Sequence, residues 1–416
     1  MIKTFLCFPL VVLTFASTYS ALAQSPSQPA YLFQAGVPDS LYSEVLQEQR
    51  HIWVHLPNGG NLREGDRYPV TYLMDGGVHL GALAALQEYY GLGKIPEMIV
   101  VGISNRTNRT RDLTTSEVET RRDNVVPESG GAEQLTRFME EELMPYIDGL
   151  YPTSMHRTLI GHSYAGLFTV NMLVNHRELF TNYIAIDPSL DWDDQRMLKE
   201  ATAALAEEDF HGKGLYVSLA NEFRRFTETL TVDDVMYDTT EFSLGIRSTL
   251  EFVHTAEAKK SNGLRFAWRY YEKDSHWSVP LVSMRDGLTF LFDWWELETP
   301  SRYNNPETPV EDIVTLIRAR TESLTRNLGY PAAMEEELLG MLGQMSMDSG
   351  QPAKAQAVLE LTAEFYPESA SAHDALTDFF VAQEDFEKAL VHAKRAFAIS
   401  GSEAHRQRVE ELSRQN

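Results

Sequence analysis

The chain has 416 residues, 43% of them hydrophobic and 11% aromatic, which is enough for a sizeable core and more than one average domain. Its formal charge of −24 excludes a nucleic-acid groove, because phosphates call for clustered lysine and arginine. The single cysteine, Cys7, excludes a disulfide framework and a thiolate metal site.

The opening stretch, "MIKTFLCFPLVVLTFASTYSALAQ", sets Lys3 before an apolar run that ends in the small-residue pattern Ala21-Leu22-Ala23. This reads as an export signal cleaved near Ala23 (residues 1–23), since the run is shorter than the ~20 residues a spanning helix needs. The expected location is periplasmic or secreted, from a bacterial source, with no membrane span after cleavage. Cys7 leaves with the signal, so the processed chain has no cysteine nucleophile.

From 31 to 298, strand-like and helix-like stretches alternate, which predicts an α/β layer fold. "HIWVHLP" (51–57), "YPVTYLMDGG" (68–77) and the continuous apolar run "MIVVGIS" (98–104) read as strands of a mostly parallel, buried sheet. "AEQLTRFMEEELMPYI" (132–147) has helical periodicity and precedes the strand "RTLIG". "YIAIDPS" (183–189), "GLYVSLANE" (214–222) and "LRFAWRYYE" (264–272) continue the sheet. Each ends in polar residues, at the strand ends where open α/β sheets place their chemistry.

Residues 299–312 are rich in proline, asparagine and charge and read as a linker. From 313 to 416 the pattern is helical only, and residues 349–369 resemble residues 383–403. Lys354-Ala355 recurs as Lys388-Ala389, and Leu342 as Leu376, a period of 34. This spacing is that of tetratricopeptide-like helix pairs, which stack face to face and offer a surface to a protein partner or to a second copy.

"TLIGHSYAGL" (158–167) carries the chemistry. A short apolar strand, a turn of small residues and an apolar helix put Ser163 at the tip of a nucleophile elbow, where strand and helix pass too close for side chains. The pattern G-x-S-x-G is met with Ala165 in its last place and Gly166 one position later. A serine hydroxyl needs an imidazole to take its proton and a carboxylate to hold the imidazole, in the chain order serine, acid, histidine. Of the twelve histidines, His276 in "YYEKDSHWSVP" is the one that follows both the elbow and a strand within 31–298, and it is assigned the general-base role.

Glu222, just past "LYVSLA", is the first choice of acid, and Asp187, which ends the preceding strand, is its rival. Asp233, Asp234 and Asp238 read as solvated loop carboxylates. The oxyanion needs two donors. One is the backbone N–H of Tyr164, and the other is that of Gly76 or Gly77 in "LMDGGVH". Arg106, Arg109 and Arg111, in "NRTNRTRDLT", either face a planar anionic ligand or pair with nearby acids such as Asp112. Trp192 and Trp277 flank the functional loops, where each either stacks on an aromatic or sugar group or packs.

Taken in order, "YPVTYLMDGG", "IPEMIVVGISN" with "RTRDLT", "GGAEQLTRFMEEELMPYI", "HRTLIGHSYAGLF", "YIAIDPSL" and "SHWSVP" resemble the family of esterase D, enterochelin esterases and their periplasmic relatives, feruloyl esterases and mycolyl transferases. The resemblance covers about Leu41 to Trp295. It implies an α/β-hydrolase fold with Ser163 as nucleophile, His276 as base, an acid at the Glu222 region and hole donors near Gly76 and Tyr164. Two departures bear on the acid. Relatives often carry a serine where Asp187 stands, and a glycine-based turn where "LANE" stands. The expected protein is an exported serine esterase that acts on a siderophore-type lactone or on an aryl or acyl ester, without metal or organic cofactor. Acyl transfer in the same site, or partner binding through the helices, are the other readings.

Overall fold

The computed structural model describes residues 34–415 apart from 64, 92, 122–123 and 224–229. The expected export signal, 1–23, lies outside them. In chain order the strands are β1 (Val37–Ser43), β2 (Glu48–His55), β3 (Tyr68–Leu73), β4 (Ile99–Ile103), β5 (Thr120–Arg121), β6 (Asn124–Val125), β7 (Thr153–His162), β8 (Asn182–Ile186), β9 (Gly214–Ala220) and β10 (Arg265–Tyr271). All except β5 and β6, which pair as a small hairpin, form one eight-stranded sheet ordered β1-β2-β4-β3-β7-β8-β9-β10. The two steps β1–β2 and β2–β4 are antiparallel. From β4 to β10 the sheet is parallel throughout.

The continuous apolar strands are explained by burial on both faces. Every residue of β3, β4, β8 and β9 is buried. Helix α1 (Gly76–Tyr90) covers one face, together with a later helix described below. The other face carries α2 (Arg109–Leu113), α3 (Ala132–Phe138), α4 (Met144–Leu150), α5 (Tyr164–Asn175), α6 (Arg196–Glu207) and α7 (Leu244–Ala258). There Phe138, Leu167, Phe168, Leu198 and Phe252 pack on Tyr72, Val101 and Leu159 from the sheet. The later helix is α8 (Val279–Leu291), whose Met284 and Leu288 join Leu80 and Leu83 of α1 on Ile160, Ile184 and Tyr216. The predicted helix over 132–147 forms, but a π turn over Met139–Leu143 joins α3 to α4. Pro145, just inside α4, has no N–H to continue the regular ladder.

The C-terminal region is helical, as its pattern predicts. It comprises α9 (Pro300–Asn304), α10 (Val310–Leu328), α11 (Glu336–Asp348), α12 (Pro352–Phe365), α13 (Ala370–Ala382), α14 (Phe386–Ser400) and α15 (Glu403–Gln415). The period of 34 is visible in the helix starts: α11 and α13 begin at 336 and 370, and α12 and α14 at 352 and 386. The repeated Ala355 and Ala389 are both fully buried, and Leu342 and Leu376 are buried too.

Residues 299–312 differ from an open connector. Pro300 opens α9, where no N–H donor is needed. Tyr303 is buried among Ile313, Ile317 and Leu339, and Lys354 Nζ closes on the carbonyls of Asn305 (3.1 Å) and Pro306 (3.0 Å). The proline and asparagine content hides one aromatic anchor. The helices are tied to the sheet body within a single compact unit, Ala35–Asn416. Arg320 donates to the carbonyls of Trp294 (2.6 Å) and Trp295, and Tyr330 Oη donates to Arg67 O at 2.9 Å.

Candidate active site

Ser163 lies between the end of β7 and the start of α5, with φ 63° and ψ −115°. That backbone is strained for any residue with a side chain. It is held from both sides: Ser163 N donates to Ile186 O (2.9 Å), and its carbonyl accepts from Leu167 N (3.0 Å) and Ser189 N (3.1 Å). The hydroxyl is 3.4 Å from Ser189 Oγ.

The small residues around the turn are required by contact. A Cβ on Gly161 would fall 2.1 Å from Ala165 O, and one on Gly166 would fall 2.9 Å from Pro188 Cα. Ala165 itself is fully buried in the core, so its methyl group is accommodated in the place where the pattern has glycine. Gly161→Ala is expected to destabilise the fold by about 3 kcal/mol or more, because the obstructing atoms are backbone. Urea denaturation checks this, and a loss under 1 kcal/mol would contradict so close a passage.

His276, in the loop after β10, is half-buried. Its Nδ1 is 2.5 Å from Asp187 Oδ2. A carboxylate there only accepts, so Nδ1 carries the proton and Nε2 of the neutral ring is left as the acceptor. Asp187 follows β8 in a left-handed conformation, φ 43°. Its backbone N donates to Ser218 O (2.9 Å), and its other oxygen accepts from Ala220 N (3.0 Å).

The acid ranked first from the sequence, Glu222, does not meet the imidazole. Its Oε1 accepts from the backbone N of His276 at 2.8 Å. Beside it, Asn221 donates through N to Asp274 O and through Nδ2 to Glu272 O, each at 2.8 Å. Glu222 therefore holds the histidine's loop, and Asp187 is the carboxylate on the ring. The sequence favoured Glu222 because it sits where a loop would swing toward the histidine; the positive φ that turns Asp187 across the end of β9 leaves no mark in composition.

Another imidazole closes the group. The ring of His162, next to Ser163, is 4.4 Å from that of His276 and only 5% exposed. Burial, and then the neighbouring His276 imidazole, pushes the His162 imidazole down to about 2. His79 meets His162 edge-on at 5.7 Å. These contacts place His276 at the same end of the sheet as Ser163.

Both proposed hole donors open helices. Tyr164 is the first residue of α5 and Gly76 the first of α1, so neither N–H has an acceptor within its own helix, and both helix ends favour negative charge. Gly76 is obligatory, since a Cβ there would fall 2.5 Å from the backbone of Gly102. Gly77 has more room: its Cβ would meet the Trp53 ring at 3.3 Å.

The arginines separate. Arg106 is exposed. Arg111 pairs with Glu48 and Asp112, each at 2.7 Å. Arg109 grips Asp75 and the carbonyl of His162. Trp192 is packed, 1% exposed, with its Nε1 donating to Ser116 O at 3.2 Å; that is a core contact, not a stacking platform. Trp277 is 81% exposed and lies 5.4 Å from the His276 ring.

Arg121, on the β5–β6 hairpin, was not singled out from the sequence. It donates to Tyr164 Oη (2.8 Å) and Asp191 Oδ2 (2.6 Å) and lies over the rings of Tyr164 and Trp192. Two-residue strands give no periodicity that could have revealed it. Among the described residues, no three histidine, cysteine or acidic side chains are grouped to hold a metal ion, and no helix is long and apolar enough to cross a membrane.

The model of the family described as Putative esterase matches residues 43–241. Ferri-bacillibactin esterase BesA of Bacillus subtilis is 35% identical over 167 residues, which span 36% of this chain and 57% of that protein. A solved IroE-like serine hydrolase from Shewanella oneidensis superposes with a TM-score of 0.65 at 27% identity, covering 79% of this chain and 99% of its own. An uncharacterised Capnocytophaga ochracea protein, 18% identical with a TM-score of 0.59, covers 91% of this chain and 99% of its own, so it shares the fold well into the C-terminal helices. The sheet order and these likenesses make this an α/β-hydrolase fold followed by a helical region.

Proposed function

We propose that this chain is an exported serine esterase of the esterase D and enterochelin esterase kind, working through Ser163, His276 and Asp187. The observation that carries the reading is the 2.5 Å contact between His276 Nδ1 and Asp187, made at the sheet end where Ser163 stands on its strained turn. Ser163 Oγ attacks the ester carbonyl while His276 Nε2 takes its proton. The resulting oxyanion is bound by the N–H groups of Tyr164 and of Gly76 or Gly77. The tetrahedral intermediate collapses, and the imidazolium gives its proton to the departing alcohol. Water then repeats the attack on the acyl-enzyme and frees the acid. Asp187 holds the productive tautomer and offsets the transient charge on the ring. Glu222 positions the histidine's backbone and stays out of the proton transfer.

The substrate class is a siderophore-type lactone or an aryl or acyl ester. The likeness to BesA supports it, as does the exposed face of Trp277 beside the imidazole, which offers a stacking surface at the mouth. The helical region is a tetratricopeptide-like array, supported by the 34-residue spacing of its helix starts, and it serves a protein partner or a second copy.

The test is activity-based labelling. The processed chain is expected to hydrolyse p-nitrophenyl butyrate and to take up a fluorophosphonate on the peptide that contains Ser163, read by mass spectrometry. No turnover across a panel of short, aryl and lactone esters, together with no label, would remove the esterase reading.

A further inference from the structure

We infer that Arg109 is a positioning residue that sets the spacing between the two oxyanion donors; the inference rests on the esterase reading above. The donors belong to different βα units. Gly76 follows β3 and Tyr164 follows β7. The ladder that pairs these strands ends at Leu73 and Ile160, with one further bond from Met74 N to Ile160 O at 3.0 Å. Beyond that point the two loops diverge into separate helices, and the hole needs its donors fixed to a fraction of an ångström.

One guanidinium spans the gap. Arg109 is the first residue of α2, which follows β4, on the far side of β3 from β7. Its Nε donates to both oxygens of Asp75 (3.1 and 3.0 Å), and its Nη2 donates to Asp75 Oδ2 (2.9 Å) and to His162 O (3.0 Å). Its cation stands 5.5 Å from the centre of the Tyr164 ring. Asp75 immediately precedes the first donor, Gly76. His162 immediately precedes the nucleophile, and Tyr164 carries the second donor. A single planar group therefore touches the residue before one donor, the residue before the serine and the residue that bears the other donor.

The anchor on the β3 side is itself held. Asp75 is 9% exposed and adopts a left-handed backbone, φ 53°. Its carbonyl accepts the first bonds of α1, from Val78 N (2.8 Å) and His79 N (3.2 Å), so a pull on its carboxylate turns the start of that helix. A planar fork binds the carboxylate side-on and the carbonyl in one fixed plane, whereas an ammonium group on its flexible stem can reach two acceptors without fixing their separation. Arg109 has its Nε and Nη2 occupied within the chain, so these donors fix the spacing of the two loops and are not offered to a substrate.

The experiment compares Arg109→Lys, Arg109→Met, Asp75→Asn and the Arg109→Lys/Asp75→Asn double variant of the processed chain, with p-nitrophenyl butyrate as substrate and fluorophosphonate labelling as a second readout. The expected result is a fall in kcat of about 100-fold in each single variant, with KM within about twofold, because misplacing catalytic groups by an ångström costs about that much. Labelling slows by the same factor, and lysine restores less than a tenth of the lost rate. The double variant is no worse than the singles, since both cut the same link. Circular dichroism and the melting temperature identify any variant that has simply unfolded, and Arg109→Lys carries the test if Arg109→Met does not fold.

A rise in KM at constant kcat would overturn the proposal and make Arg109 a substrate contact. Variants that turn over and label as fast as the parent would overturn it as well, leaving the esterase reading intact. If the parent chain neither turns over nor labels, the esterase reading fails and the clamp falls with it.

Discussion

Ser163→Ala is expected to lower kcat for p-nitrophenyl butyrate by about 10⁶-fold, close to the background left by binding and the oxyanion donors alone. Ser163→Gly is expected to lose as much activity and, unlike alanine, to raise the melting temperature. The difference lies in the backbone. With φ 63° and ψ −115°, position 163 stores about 1–3 kcal/mol for a residue bearing a Cβ, and alanine keeps that strain. Glycine releases it, against an unfolded-state entropy cost of about 0.5–1 kcal/mol, for a net gain near ~1 kcal/mol and a shift of ~1–2 °C in a chain of this size. Initial-rate kinetics and differential scanning calorimetry on the three proteins read both effects. An alanine variant within tenfold of the parent rate would remove Ser163 as nucleophile, and a glycine variant less stable than alanine would show that the turn is held without strain.

What the sequence revealed and what it withheld follow from one distinction. Patterns that are local in the chain were legible. The apolar runs that became β3, β4 and β8, the elbow around Ser163, the glycine pair after β3 and the 34-residue period of the helices each depend on spacing within a few tens of residues. Features set by which strand lies beside which were not. Asp187 and Glu222 end adjacent parallel strands, β8 and β9, and both reach the loop of His276. Which of them meets the ring and which the backbone depends on the left-handed turn at 187. Arg109 could be read as a ligand for an anion or as one half of an ion pair, and only the order β4-β3-β7 puts its fork across Asp75 and His162. Trp192 reads from the sequence as either a stacking surface or a packed side chain, and its ring packs beneath Arg121, which stands on a strand too short to carry a period. The stretch 299–312 was read from its prolines and asparagines, although its single Tyr303 fixes it to the helical core.

The two carboxylates on His276 give the sharpest separation of roles. Asp187→Asn is expected to lower kcat about 10⁴-fold, and Glu222→Gln by about fivefold. An asparagine at 187 can present its amide N–H₂ to Nδ1. The ring must then accept at Nδ1 and carry its proton on Nε2, the tautomer that cannot take a proton from the serine, and the imidazolium also loses its counter-charge. A glutamine at 222 keeps an oxygen for the backbone N–H of His276. The acceptor loses its charge, a difference of about 1 kcal/mol, and the loop is still stapled by Asn221 through Asp274 and Glu272. Steady-state kinetics of the two variants, with the melting temperature as a control on folding, decide between them. If Glu222→Gln suffered the large loss and Asp187→Asn the small one, the carboxylate on the ring would be a structural contact, and the acid would be the residue at the end of β9.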